Sequence, residues 1–135
     1  MEYKLQKNGI LFAIALVGLV SFALLSLYPR ETGDSSGFRD PEKLQLLIEE
    51  ESTPYLLLDV RTPVEYKSGY IPTAENLPLQ VIGNNPPAVE KDSLLIVYCR
   101  SGNRSAQAKR FLEKEGFTNV VDFGGINRWP FELNR

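Results

Sequence analysis

Residues 10 to 28 (ILFAIALVGLVSFALLSLY) carry no charge and no polar group stronger than serine, so they set apart a segment that a small soluble core cannot absorb. At about 1.5 Å per helical residue this run covers roughly 28 Å, close to the hydrocarbon thickness of a bilayer. A surface helix of a small domain keeps a polar face, and this one has none. It is therefore read as membrane-inserted. Leu27, Tyr28, Pro29 and Arg30 offer no small-x-small cleavage site, so the run is expected to remain as a signal anchor. Lys4 and Lys7 precede it, whereas Arg30, Glu31, Asp34, Arg39, Asp40 and Glu42 follow. The basic end stays in the cytoplasm, which places the rest on the periplasmic or extracellular side of the cell membrane in a single pass. The expected division is a cytoplasmic segment 1–9, a transmembrane anchor 10–28, a Gly/Ser/Asp-rich tether 29–37, and a folded domain 38–135.

The 135 residues leave room for one domain beyond the anchor. The net charge is -2, and Lys4, Lys7 and Arg30 stand against Glu2 in the first 30 residues, so the remainder is mildly acidic. Such a surface does not suit nucleic-acid backbone binding. The chain has one cysteine and no histidine. That composition excludes an intrachain disulfide, a Cys/His zinc site and any mechanism with imidazole as base, and no metal or cofactor is expected.

Asp40-Pro41 reads as an N-cap and first helical position, with Leu44, Leu47 and Ile48 on one face until the acidic run 49–51. Tyr55 to Val60 (YLLLDV) suits a buried parallel strand. Thr62, Pro63 and Glu65 give a capping box for a short helix. Residues 69 to 87 are proline-rich and read as an irregular connection with one helical turn around 79–82. Leu94 to Tyr98 is a second strand, Ser105 to Glu115 a helix ended by Gly116, and Asn119 to Phe123 a third strand followed by Gly124-Gly125 and a final short helix or turn. Strands alternating with helices imply an α/β domain with a parallel sheet, whose ligands bind beyond the carboxyl ends of the strands.

The only cysteine lies at such an end. In Cys99-Arg100-Ser101-Gly102-Asn103-Arg104-Ser105, a tight loop between strand and helix can converge its N–H groups on one point, where the helix N-terminus adds positive potential. These features bind an anion and depress the pKa of a thiol. Arg100 and Arg104 reinforce the positive field, with Arg104 placed to meet both an oxyanion and the helix end, and Arg100 directed partly to solvent. A lone cysteine ending an apolar strand is otherwise a small hydrophobe. The cationic surroundings favour a thiolate nucleophile aimed at an anionic substrate.

Residues 38 to 135 resemble the single-domain rhodanese-like sulfurtransferases. The fragments that carry the resemblance are Leu58-Asp59-Val60-Arg61 with Glu65-Tyr66 and Gly69, Ile71-Pro72 with Ala74, Asn76 and Pro78, the loop Cys99 to Ser105, and Gly124-Gly125 with Trp129. The resemblance implies a three-layer domain with a central parallel sheet flanked by helices. It further implies that Cys99 takes a sulfane sulfur from thiosulfate or another anionic donor, holds it as a persulfide, and passes it to cyanide or an external thiol acceptor. Arg100, Ser101, Gly102, Asn103 and Arg104 would bind the donor. Asp59, Arg61 and Ser105 would support the site, with Asp59 accepting hydrogen bonds under the loop and Arg61 paired to a carboxylate such as Glu65. Related phosphatase-like enzymes need five residues between Cys and Arg, whereas four separate Cys99 from Arg104. The family commonly has His and Gly where this chain has Tyr70 and Thr73. A non-catalytic anion-sensing or protein-binding module on the same fold is the competing reading.

Overall fold

The computed structural model describes residues 34–135. The expected anchor 10–28, the segment 1–9 and residues 29–33 of the tether lie outside the described residues. Among the described residues no helix is long and apolar enough to cross a membrane.

The remainder of the expected tether differs from its reading. Ser35–Arg39 forms a 3-10 turn whose N-cap, Asp34, accepts the Ser36 N–H at 3.0 Å. The turn continues into Arg39, whose Nε donates to the Asp122 carbonyl at 3.1 Å, and residues 34–37 belong to the same compact unit as the domain. Helix α1 (Pro41–Glu50) follows, with Asp40 as N-cap and Leu44 and Leu47 buried, as its apolar spacing requires. Strand β1 (Tyr55–Asp59) leads into α2 (Pro63–Lys67), where Thr62 and Glu65 complete a reciprocal capping box. Next come β2 (Glu75–Asn76), α3 (Leu79–Ile82), β3 (Leu94–Cys99), α4 (Asn103–Lys114), β4 (Val120–Gly125) and a 3-10 turn over Ile126–Arg128.

The four strands are parallel in the order β2-β1-β3-β4. Alternation of side chains along each strand divides the core into two layers. Leu57, Ile96, Tyr98, Val121 and Phe123 pack with Leu44 and Leu47 of α1 on one face. Leu58, Leu95, Val97 and Cys99 pack with Ile82, Ala108 and Leu112 of α3 and α4 on the other. The expected three layers follow from this division.

Several element ends differ from the sequence expectation by a residue or two, and one short strand is added. The connection 69–87 contains β2, whose two residues pair with Leu58 and Asp59; so short an edge strand leaves no alternation to read. Helix α4 starts at Asn103, before the expected Ser105. Strand β4 runs through Gly124-Gly125 instead of ending at Phe123 because its pairing with β3 slips between Val97 and Tyr98. This bulge sets Gly125 opposite Cys99. The Thr73 departure is accommodated at φ 69, with its hydroxyl 2.9 Å from that of Tyr55, and Tyr70 stacks on Tyr66 at 4.2 Å.

Candidate active site

Cys99 is the last residue of β3 and is 1% exposed. The chain turns through Arg100, Ser101 and Gly102 into α4, and Gly102 takes φ 104, a conformation that disfavours any side chain. The turn brings the Gly102 N–H to 3.1 Å from Cys99 Sγ. The Cys99 thiol donates to Ser105 Oγ at 3.6 Å, and that hydroxyl reaches the carbonyls of Gly102 at 3.0 Å and Gly124 at 3.3 Å. Ser105 is fully buried. Its single proton can turn from the carbonyls to Sγ when the thiol ionises.

Burial is the largest single influence on the Cys99 thiol and pushes its pKa up. The Ser105 amide and hydroxyl, followed by the Gly102 and Ser101 amides, outweigh it, so the net direction is downward from the ordinary thiol value. The converging loop amides and the helix end expected from the sequence are both represented, since Ser105 lies in the first turn of α4, and the Ser105 hydroxyl joins them. Alkylation of Cys99 is therefore expected to reach half its limiting rate below the free-thiol value of about 8.5. Replacing Ser105 with alanine should move that midpoint upward. A midpoint unchanged by Ser105→Ala would separate the hydroxyl from thiolate stabilisation.

The loop rests on Gly125. A Cβ there would lie 2.7 Å from the Arg100 carbonyl oxygen, 2.9 Å from Ser101 Cα and 2.1 Å from Asn127 Oδ1. Only glycine admits this approach of β4 to the loop. Gly124-Gly125 had no assigned role in the sequence, because the bulge that aligns the pair with Cys99 has no local signature.

Arg104 does not stand free beside the thiol. Its Nη1 and Nη2 donate to Glu65 Oε2 and Oε1 at 2.8 and 2.7 Å, a bidentate pair joining the first turn of α4 to α2. Glu65 also caps Thr62, whose backbone N–H and hydroxyl both reach Oε2 at 2.9 Å. Arg104, and then the Thr62 donors, lower the Glu65 pKa to about 2 against the penalty of burial. A carboxylate depressed from 4.5 to about 2 contributes stability present above pH 4.5 and lost as pH falls through 2. Chemical denaturation across that window should show a shallower acid slope in Glu65→Gln than in wild type; equal slopes would dissociate the pair from acid stability.

The Arg61 expectation is corrected. Arg61 pairs with Asp59, not Glu65: its Nε lies 2.9 Å from both Asp59 oxygens and its Nη2 2.5 Å from Oδ2. Asp59 accepts from the Arg61 backbone N–H as well, at 2.9 Å, so its bonds close a local ring instead of reaching under the loop. Two residues apart at a strand end, these groups meet before Arg61 can extend toward α2. Arg61 Nη2 also holds the Gly69 carbonyl at 2.7 Å, and both residues of the pair are buried.

The structure thus gathers Cys99, Gly102 and Ser105 at one point, binds Arg104 to Glu65 at its border, and leaves Arg100, Ser101 and Asn103 exposed on the loop. Trp129 packs edge-on to Phe123 and Phe131. Surface clefts lined by Asp34, Arg39, Lys109 and Asp122, and by Glu51, Tyr55, Thr73 and Glu75, include no residue of the Cys99 loop.

Residues 40–130 match the Rhodanese-like domain family. The chain is 43% identical over 75 residues to a sulfurtransferase of Allochromatium vinosum, covering 55% of this chain and 70% of that protein. It is 34% identical over 71 residues to thiosulfate sulfurtransferase PspE of Escherichia coli, covering 51% and 68%. It spans only 20% of the maize adenylyltransferase and sulfurtransferase MOCS3-1, at 34% identity over 95 residues and 64% of this chain. The crystal structure of a rhodanese-like domain protein from Staphylococcus aureus superposes with a TM-score of 0.62 at 33% identity, covering 70% of this chain and 92% of that one.

Proposed function

The chain belongs to the rhodanese-like domain family, and from that premise we propose that it is a sulfurtransferase that carries sulfane sulfur as a persulfide on Cys99. The observation that carries this reading is the position of Sγ at a strand end, facing the Gly102 N–H and the Ser105 hydroxyl. The thiolate attacks the outer sulfur of thiosulfate or another anionic donor, and sulfite leaves with the electron pair. No general base is required, because the loop dipoles already favour the anionic nucleophile. The terminal sulfur then passes to cyanide or an external thiol. With one cysteine in the chain, no internal thiol can resolve the persulfide.

Intact mass of the full chain after thiosulfate exposure tests this directly. Gain of one sulfur on Cys99, discharged by cyanide as thiocyanate, is the expected result. Near-complete burial of Cys99 favours the second reading, a non-catalytic anion-sensing or protein-binding module. Saturable thiosulfate binding without sulfur uptake would establish that alternative.

Gly125→Ala is expected to lower kcat/KM for thiosulfate by about 100-fold, because displacement of the loop by about 1 Å misaims the nucleophile and its amides. The accompanying stability loss should be only about 1–3 kcal/mol, the ordinary cost of overpacking. Unchanged turnover in the folded variant would show that the loop is not set by this contact.

We further propose that residues 10–28 tether the protein to the cell membrane, with the 38–135 domain on the periplasmic or extracellular side. The uninterrupted apolar run and its leading lysines support this arrangement. Membrane fractionation with N-terminal sequencing tests it. A soluble product beginning between residues 23 and 38 would remove the anchor.

A further inference from the structure

We propose that Glu65 sets the charge of the donor: by compensating Arg104 it leaves Arg100 as the free cation of the loop and fits the site to a sulfane donor of one negative charge in preference to a dianion. The inference rests on the sulfurtransferase reading and names its substrate class. Two arginines in the loop suggest a strongly cationic site when the sequence is read alone. In the structure both terminal nitrogens of Arg104 are engaged by the two oxygens of Glu65, at 2.8 and 2.7 Å. Each side chain of the pair is 26% exposed. Arg100 is exposed and enters no ion pair among the described residues.

Of the other charges near these elements, one pair cancels and one guanidinium is held by backbone carbonyls. Asp59 and Arg61 neutralise one another in a buried pair. Arg128 donates to the carbonyls of Phe123 and Arg39 rather than to the loop. Once Cys99 ionises, its negative charge and that of Glu65 balance Arg100 and Arg104. With that set at zero, no positive charge within it remains to offset the two charges that a dianion brings to the thiolate. A monoanion brings half that charge to the same neutral set, and the backbone N–H groups supply the polarity that holds it.

Methanethiosulfonate and thiosulfate both present a terminal sulfane sulfur, and a methyl group in the first replaces one charged oxygen of the second, so the change in their ratio between variants reads the charge. In either case the Cys99 thiolate forms a new S–S bond as the donor's S–S bond breaks. The electron pair departs with methanesulfinate or sulfite, and the persulfide keeps the single negative charge. No oxidant or external reductant enters the step.

The test measures kcat/KM for both donors with the full chain as wild type, Glu65→Gln and Arg100→Gln. Glutamine keeps an oxygen for the Thr62 cap, and the ratio between donors cancels any general loosening that both donors meet alike. Glu65→Gln should raise the thiosulfate-to-methanethiosulfonate ratio by about 3- to 30-fold, the range one uncovered charge produces at a partly shielded site. Arg100→Gln, at an exposed position, should lower the same ratio. Ratios unmoved in both variants, with wild type loading sulfur from both donors, would overturn the inference and leave the sulfurtransferase reading intact. Failure of both donors to place sulfur on wild-type Cys99 would overturn that reading and this inference together.

Discussion

Cys99→Ser is expected to abolish sulfur uptake and to reduce thiocyanate formation by at least about 1000-fold, the scale of loss when a covalent nucleophile is removed. The chain has no second thiol to take over. A serine hydroxyl can still accept the Gly102 N–H that reaches Sγ at 3.1 Å and can still meet Ser105, so the loop should keep its shape. Hydroxyl oxygen, however, is not ionised by these few dipoles and is a poor nucleophile toward sulfane sulfur. Denaturation midpoints should remain close to wild type, and thiosulfate binding should persist through the loop amides. Retained binding with lost uptake would assign the sulfur atom itself the transfer step. Thiocyanate production at wild-type rate would remove Cys99 from that role.

Asp59→Ala carries the largest expected effect on stability, about 3–5 kcal/mol, because it strands a buried guanidinium without its counter-charge. Asp59 is 0% exposed and Arg61 5%, and the carboxylate receives the Arg61 backbone N–H, Nε and Nη2. Arg61 in turn holds the Gly69 carbonyl, while Asn76 Nδ2 reaches the carbonyls of both Asp59 and Arg61 at 3.0 Å. Loss of the carboxylate therefore disturbs the crossing of the 69–76 segment over the end of β1. Urea denaturation measures the cost. The double variant Asp59→Ala, Arg61→Met should recover part of it, since an apolar side chain demands no counter-ion in that site. A single-variant loss below about 1 kcal/mol would mean that water or another group already solvates Arg61.

The two arginine pairs show how far the linear chain determines its own contacts. The Asp40 N-cap before Pro41, the Thr62 and Glu65 capping box and the buried run of β3 are legible in the sequence, because caps and apolar periodicity act between residues within about one helical turn or along one strand. The same local logic identified Cys99 at a strand end and the tight loop after it. It did not reveal which carboxylate each arginine would meet. Glu65 was readable as the capping partner of Thr62, but its bond to Arg104 joins residues 39 apart and requires β1 and β3 to lie side by side. Arg61, for which the family resemblance implies a carboxylate such as Glu65, finds that carboxylate in Asp59, two residues away at the strand end.

Gly125 gives the sharper contrast. Its lack of a side chain is plain in the sequence, yet its reason is a slip in the β3–β4 pairing that places it opposite Cys99 and under the Arg100 carbonyl. The sequence by itself determined the helices, the principal strands and the cysteine at the end of one of them, since these depend on short-range sterics, capping and burial. Tertiary structure alone decided the two-residue β2, the loop's glycine floor and the compensation of Arg104, because each depends on strand order and register, which bring distant backbone and charge within contact.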